Sequence, residues 1–443
     1  MKHKWNSPWL IAALVCACAA PAAAQLSGLG RGLGGALSPI TQLPGRLTSQ
    51  LAPDLQRVLD PETLLTERLT RIDALVSDHP REIDRDNHGA PVVRGEVLAI
   101  ALTPEALAQA RAAGFAVRDA GGGPDDGVGL VVLTTPGGMS AREAVTRLRK
   151  LDPGGAYDFN HLYLPSGETG PETAETPVAS AEPDTTGDAH AAVRIGLIDT
   201  GIDETSPVFA GARLEQKAFS GPVVRPAPHG AAVASLIVGR SLTFKSAAPG
   251  AQLYAADVYG GAPAGGAADA LVRALGWMAA RKVAVVNVSL VGPPNLALAA
   301  AIRAVQARGI AVVAAVGNDG PAAPPAYPAS YPGVIAVTGV DAHGQVLLEA
   351  GRSEHLDFAA PGADMAAAGK GGGFVAVRGT SFAAPLVAGR LAVLMIEGGP
   401  SLPAAEDTLA REGRRGQGYG RALVAMQLRT PPASVHAAAG RAD

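Results

Sequence analysis

The stretch VRIGLIDTGID, residues 193–203, sets the architecture. Its first six residues are almost all apolar, and they run straight into a carboxylate followed by Thr-Gly. A strand with one wet face alternates apolar and polar residues; an unbroken apolar run marks a strand covered on both faces. The same signature returns in QLYAADV (252–258), VAVVNVSL (283–290), IAVVAAV (310–316) and GVIAVTGV (333–340), with helical runs between, such as 263–281 and 295–307. Apolar strands separated by helices predict an α/β fold, a parallel sheet with helices on both faces, over residues 191–429. Ligands of such sheets gather at the carboxyl ends of the strands, where Asp199 stands.

Upstream, the pattern changes. Residues 91–167 read as a small α+β unit: strand VVRGEVLAIAL, a helix opened by Thr103 and Pro104, strand GVGLVVLTTP, a helix capped by Ser140, then the extended AYDFNHLYLPSG. Residues 168–190 form an acidic linker without Lys or Arg, too polar to order itself and an easy place to be cut. Residues 25–90 carry leucines at 43, 47, 51, 55 and 59, a four-residue spacing that predicts short helices broken by Pro53 and Pro61, with a spacer role. Residues 430–443 read as a flexible tail.

Residues 1–24 have the layout of a secretory signal peptide: Lys2 and Lys4, an apolar run from Trp9, and small residues before a cut near Ala24. Export to the periplasm or the medium is the expectation, with lipid attachment at Cys18 or an uncleaved anchor as the alternative. Both cysteines, Cys16 and Cys18, fall inside this segment, so cysteine chemistry is excluded from the mature chain. A formal net charge of −3 gives no electrostatic basis for nucleic acid as a partner. No later segment offers a long uncharged span, and no stable membrane association is expected.

Three polar residues occupy the places where such a sheet does chemistry. Asp199 ends a strand, His229 opens a helix in PHGAAVASLIVG, and Ser381 opens another in GTSFAAP. A serine hydroxyl is a weak nucleophile that needs a base, imidazole titrates near working pH, and a carboxylate behind it fixes the tautomer. Helix N-termini present unpaired N–H groups and a positive dipole end, both suited to a developing oxyanion. Asn318, just past a buried strand in AVGN, can add a side-chain donor.

These motifs resemble those of the subtilisin-like serine proteases, the subtilases: IDTGID for the aspartate, HGAAVA for the histidine, AVGN for the oxyanion asparagine and GTSFAAP for the serine, in the family order. SAAPGAQLYAADV, NVSL and DFAAPG agree as secondary marks. The resemblance implies a doubly wound parallel sheet and hydrolysis of peptide bonds through an acyl-enzyme. It implies that substrate binds as an added strand between Tyr259, Gly260 and Gly261 on one side and Ser289, Leu290 and Val291 on the other. It further implies that residues 91–167 are a propeptide, acting as intramolecular inhibitor and removed by self-cleavage.

The chain departs from the family at three points. Ala231 follows Gly230 where threonine is usual, which threatens the start of the histidine helix. Val291 replaces a common glycine and would narrow the pocket for the residue before the cut. The calcium-binding insertion of many secreted members is not evident in VGRSLTFKSAAPG (238–250), so no cofactor is required and no metal site is predicted; calcium binding stays open, with no clear site. Rival readings are weaker. An aspartic-protease DTG needs a second carboxylate motif that is not present. His79, His161, His343 and His355 lack metal-ligand spacing, and GGAPAGG has no following Lys-Ser/Thr. An exported binding protein on the same scaffold would have no chemical need for all four site residues.

Overall fold

The computed structural model describes residues 61–119, 127–169, 190–369, 372–399 and 401–439, all within one unit, Pro61–Asp443. The expected signal peptide, the leucine series at 43–59 and most of the acidic linker lie outside the described residues.

The N-terminal part runs α1 (Pro61–Asp78), β1 (Ile83–Arg85), β2 (Pro91–Ile100), α2 (Pro104–Ala112), β3 (Ala116–Asp119), β4 (Leu130–Thr134), α3 (Ala141–Leu151) and β5 (Ala156–His161). Its antiparallel sheet is built around β2, which pairs with β1, β4 and β5, while β3 closes the far edge on β4. The two helix starts follow from local chemistry. The Thr103 hydroxyl accepts the Ala106 N–H at 3.1 Å, and Ser140 forms a reciprocal capping box with Glu143. Because β1 pairs with β2, the sheet begins before residue 91, earlier than the composition suggested.

Two short extended pieces follow, β6 (Leu164–Pro165) and β7 (Glu168–Thr169). The larger part then runs β8 (Arg194–Asp199), β9 (Arg213–Ala218), α4 (Pro228–Val238), β10 (Gln252–Asp257), α5 (Ala268–Ala280), β11 (Val285–Val288), β12 (Leu290–Val291) and α6 (Leu296–Gln306). It continues through β13 (Ala311–Ala315), β14 (Ile335–Val340), β15 (Phe358–Pro361), β16 (Met365–Ala368), β17 (Phe374–Arg378), α7 (Thr380–Glu397), α8 (Leu402–Glu412), β18 (Ala422–Leu423) and α9 (Pro432–Ala439). Eight strands form one sheet in the order β18-β15-β14-β13-β11-β8-β10-β9, every pairing parallel. Central β8 has β10 on one side and β11 on the other, so the connections diverge at its carboxyl end.

Helices cover both faces. Ile195 and Leu197 of β8 pack into the layer that holds α4 and α7, whereas Ile198 packs into the layer that holds α5 and α6. Helix α7 is long and apolar enough to cross a bilayer by length and composition, but 83% of it is buried in the protein core. The C-terminal end departs from the expected flexible tail. Thr430 is buried, its hydroxyl accepting the Lys245 N–H at 3.1 Å and its carbonyl accepting the Ala366 N–H at 2.8 Å. Val435 in α9 then joins the core, with the helix packed against β16 and β17, which gives this apolar segment a reason to fold.

Leu391 is fully buried in α7. Leu391→Ala, made in a Ser381→Ala background to prevent any self-digestion, should lower the unfolding free energy by about 2–5 kcal/mol. Denaturant unfolding checks this, and a loss below about 0.5 kcal/mol, the range of surface substitutions, would contradict the packing described.

Candidate active site

Asp199 ends β8 and is fully buried. A buried carboxylate needs partners, and this one accepts the Thr200 N–H at 2.7 Å and faces His229 Nδ1 with both oxygens, at 2.8 and 3.0 Å. An ionised carboxylate can only accept, so Nδ1 carries a proton, and in the neutral ring Nε2 then keeps its lone pair. That Nε2 atom is buried and has no hydrogen-bond partner. His229 is the second residue of α4, after Pro228, and its ring lies 5.6 Å from that of Phe382. The hydroxyl missing at Ala231 is replaced from elsewhere: Thr200 Oγ1 accepts the Gly230 N–H at 2.9 Å, tying the first turn of α4 to the end of β8.

Ser381 is the second residue of α7, whose N-terminal N–H groups receive no cap from Gly379. Its N–H donates to the Ser166 carbonyl at 3.0 Å. The Thr380 N–H donates to Asn318 Oδ1 at 2.9 Å, which fixes the amide so that Nδ2 points away from Thr380. Gly379 has φ +138°, and a Cβ there would lie 2.7 Å from both Asn318 Nδ2 and Gly167 Cα. Only glycine leaves room for the amide beside this segment. Pro385 has an equally local reason. It has no N–H to offer the carbonyl four residues back, that of Ser381, which instead accepts the Ser289 hydroxyl at 2.9 Å.

The Ser381 hydroxyl is engaged with the Ser166 carbonyl, with the Ser289 carbonyl at 3.0 Å and with Ser166 Oγ at 2.7 Å. It makes no hydrogen bond to His229 in this arrangement. The structure thus joins Asp199 to His229, and Asn318 to the turn that opens α7, with a chain segment lying across Ser381.

That segment, residues 162–169, runs between two edges. On one side β6 pairs antiparallel with β12, Leu164 opposite Val291 and Pro165 opposite Leu290, and Ser166 N–H donates to Ser289 O at 3.3 Å. Ser289, Leu290 and Val291 thus form one edge against this segment. The other side differs. Gly260 and Gly261 form a turn at φ +57° and +68°, and the edge itself is Gly266 and Ala267: Tyr163 N–H donates to Gly266 O at 2.8 Å, and Leu162 bridges Ala267. The second glycine pair of GGAPAGG supplies the edge because the first is consumed by the turn. Tyr259 contributes through its phenol, which donates to the Tyr163 carbonyl at 2.7 Å; burial, with Asp199 and Asp257 nearby, pushes its pKa well above the ordinary value and keeps it a donor.

Other contacts were not legible in the sequence. Arg68 and Arg71 of α1 pair with Asp319 at 2.9 and 2.6 Å, so this helix touches the residue after Asn318 and is more than a spacer. From β5, Asp158 accepts the Leu296 N–H at 2.7 Å and Asn160 accepts the Asp269 N–H at 3.1 Å, seating the α+β part on the N-termini of α6 and α5. Among the described residues, no three or more His, Cys, Asp or Glu side chains cluster so as to hold a metal ion.

A parallel sheet with a carboxylate–imidazole pair at a strand end and a serine at a helix start has the layout of an α/β serine hydrolase. Residues 190–409 match the Peptidase S8 model, the subtilase family. Subtilisin E of Bacillus subtilis (strain 168) is 31% identical over 266 residues, covering 57% of this chain and 68% of that protein. Subtilisin of Bacillus pumilus is 32% identical over 212 residues, covering 46% and 76%. Fervidolysin from Fervidobacterium pennivorans, a keratinolytic enzyme, shares the fold with a TM-score of 0.64 at 18% identity, over 78% of this chain and 61% of that chain. The chain belongs to the subtilases, a family of serine-type endopeptidases.

Asn318→Ala should lower kcat on a peptide substrate by about 10²–10³, roughly 3–4 kcal/mol, a magnitude established on subtilisin rather than here. Asp199→Asn should cost about 10⁴ by leaving the imidazole in the wrong tautomer. Steady-state kinetics measure both; near-wild-type kcat for either variant would remove that residue from the site.

Proposed function

We propose that the chain is an exported endopeptidase, made as a zymogen, in which Ser381, His229, Asp199 and Asn318 cut protein or peptide substrates through an acyl-enzyme. The observation that carries this is the Ser166 carbonyl held on the Ser381 N–H, beside a His229 whose Nδ1 is fixed by Asp199 and whose Nε2 is unpartnered. Turned toward Nε2, the Ser381 hydroxyl loses its proton as Oγ attacks a carbonyl carbon in that position. The oxyanion draws on the Ser381 N–H and the Asn318 amide. His229 then protonates the leaving amine, and water repeats the sequence on the ester. This scheme uses side chains and water.

The zymogen reading is supported by the α+β part, which covers α5 and α6 and sends its exit strand through the cleft, so that free substrate and residues 162–169 compete for one site. In this reading the inhibitory propeptide is the α+β part at residues 91–167, with β1 (Ile83–Arg85) added to its sheet. Export is supported by the Lys2, Lys4 and apolar-run layout ahead of Ala24.

A fluorophosphonate, which reacts with an activated serine, should label the processed chain at Ser381, and Ser381→Ala should stay unlabelled and retain its N-terminal part. A folded wild-type chain that takes no label would favour a binding protein on a subtilase scaffold. A Ser381→Ala chain processed normally after purification would assign the cut to another protease.

A further inference from the structure

We propose that the bond this chain cuts in itself is Ser166–Gly167, and that the cleft selects a small residue before the cut and glycine after it. The proposal rests on the endopeptidase reading above and adds its position and selectivity.

The register is fixed on both sides of the bond. Before it, Leu164 and Pro165 pair with Val291 and Leu290, and Tyr163 N–H is held by Gly266 O. Beyond it, the backbone of Glu168 and Thr169 pairs antiparallel with Arg378 and Val377 of β17. Between the two pairings lie only Ser166 and Gly167. The Ser166 carbonyl receives the Ser381 N–H at 3.0 Å and also meets the Ser381 hydroxyl. The segment is anchored as a substrate spanning the nucleophile, with both future ends held.

The side-chain room is specific to this chain. A Cβ on Gly167 would lie 2.8 Å from Phe382 Cε2 and 3.2 Å from Ser381 Cβ. Phe382 is fully buried and packed against the His229 ring, so it has nowhere to withdraw. Glycine is therefore the residue this position accepts. On the other side of the bond, Val291 Cγ1 stands 3.3 Å from where a Cβ on Gly317 would lie, narrowing the room between the ends of β12 and β13. Ser166, itself buried, fits with its hydroxyl on Ser381 Oγ at 2.7 Å. Four residues before the cut, Tyr163 is fully buried, packs on Gly292 and donates its phenol to Pro293 O at 2.7 Å, which anchors the strand.

The step balances within the chain and water. Ser381 Oγ bonds to the Ser166 carbonyl carbon, the Ser166–Gly167 C–N bond breaks, and the Ser381 proton passes through His229 to the new Gly167 amine. Water then cleaves the ester, leaving a Ser166 carboxylate and the free Ser381 hydroxyl.

The test follows full-length chain through time by intact mass and terminal sequencing of the first products. The expected fragments end at Ser166 and begin at Gly167. Gly167→Val should slow their appearance by about 100-fold, the order expected for a 1 Å misplacement of the reacting bond, and Ser166→Phe should do likewise. Ser166→Ala should keep both position and rate within a few-fold. Equal unfolding midpoints of Ser381→Ala with and without Gly167→Val show that the block is not misfolding. A first cut at another bond, with Gly167→Val processed at the wild-type rate, overturns the proposal. Fluorophosphonate labelling separates the two levels: a labelled chain cut elsewhere loses only the bond assignment, and an unlabelled chain that is never cut loses the endopeptidase reading as well.

Discussion

The structure depends on a carboxylate kept out of water. Burying an isolated ionised carboxylate costs several kcal/mol unless it is paired and hydrogen-bonded. Asp199, at zero exposure, meets that demand with one backbone N–H and one imidazole. Everything near the site is arranged so that those partners stay put. Thr200 both donates its N–H to Asp199 and receives the first turn of α4 on its hydroxyl, so strand end and helix start move together. The parallel sheet supplies the rest of the rigidity, since β8 is held by β10 and β11 along its length.

A second set of constraints converges on Ser381. Asn287 donates to Ser289, Ser289 donates to the Ser381 carbonyl, and Pro385 is what leaves that carbonyl free. Thr380 ties the same turn to Gly317 and Asn318. The helix start is thereby braced from β11 and from the end of β13 at once. The Ser381 hydroxyl itself is held by the Ser166 and Ser289 carbonyls and by Ser166 Oγ, and in the proposed reaction it leaves them for His229 Nε2.

Much of this was legible because the signals are local. Unbroken apolar runs marked five of the eight parallel strands, and the residues that end or follow them marked Asp199 and Asn318. The two helix openings marked His229 and Ser381. Strand β9, RLEQKA, escaped because an edge strand that is half exposed carries no apolar run. The substrate-like edge at Gly266 was misassigned to Gly260 and Gly261 because two glycine pairs in one loop are indistinguishable until the turn is known. The Arg68 and Arg71 pairs to Asp319 join residues about 250 positions apart, and Asp158 and Asn160 act on helix starts over a hundred positions away. Charge and hydrogen-bond partners at such separation leave no periodic trace.

The account comes down to Ser381 forming a transient ester under the control of His229. Acid quench of the processed enzyme during turnover of a slowly deacylating ester substrate, followed by peptide mass mapping, measures that directly. The account predicts an acyl group on the peptide holding Ser381, absent when His229 is replaced by alanine. Continued peptide hydrolysis with the adduct on a different residue would contradict it.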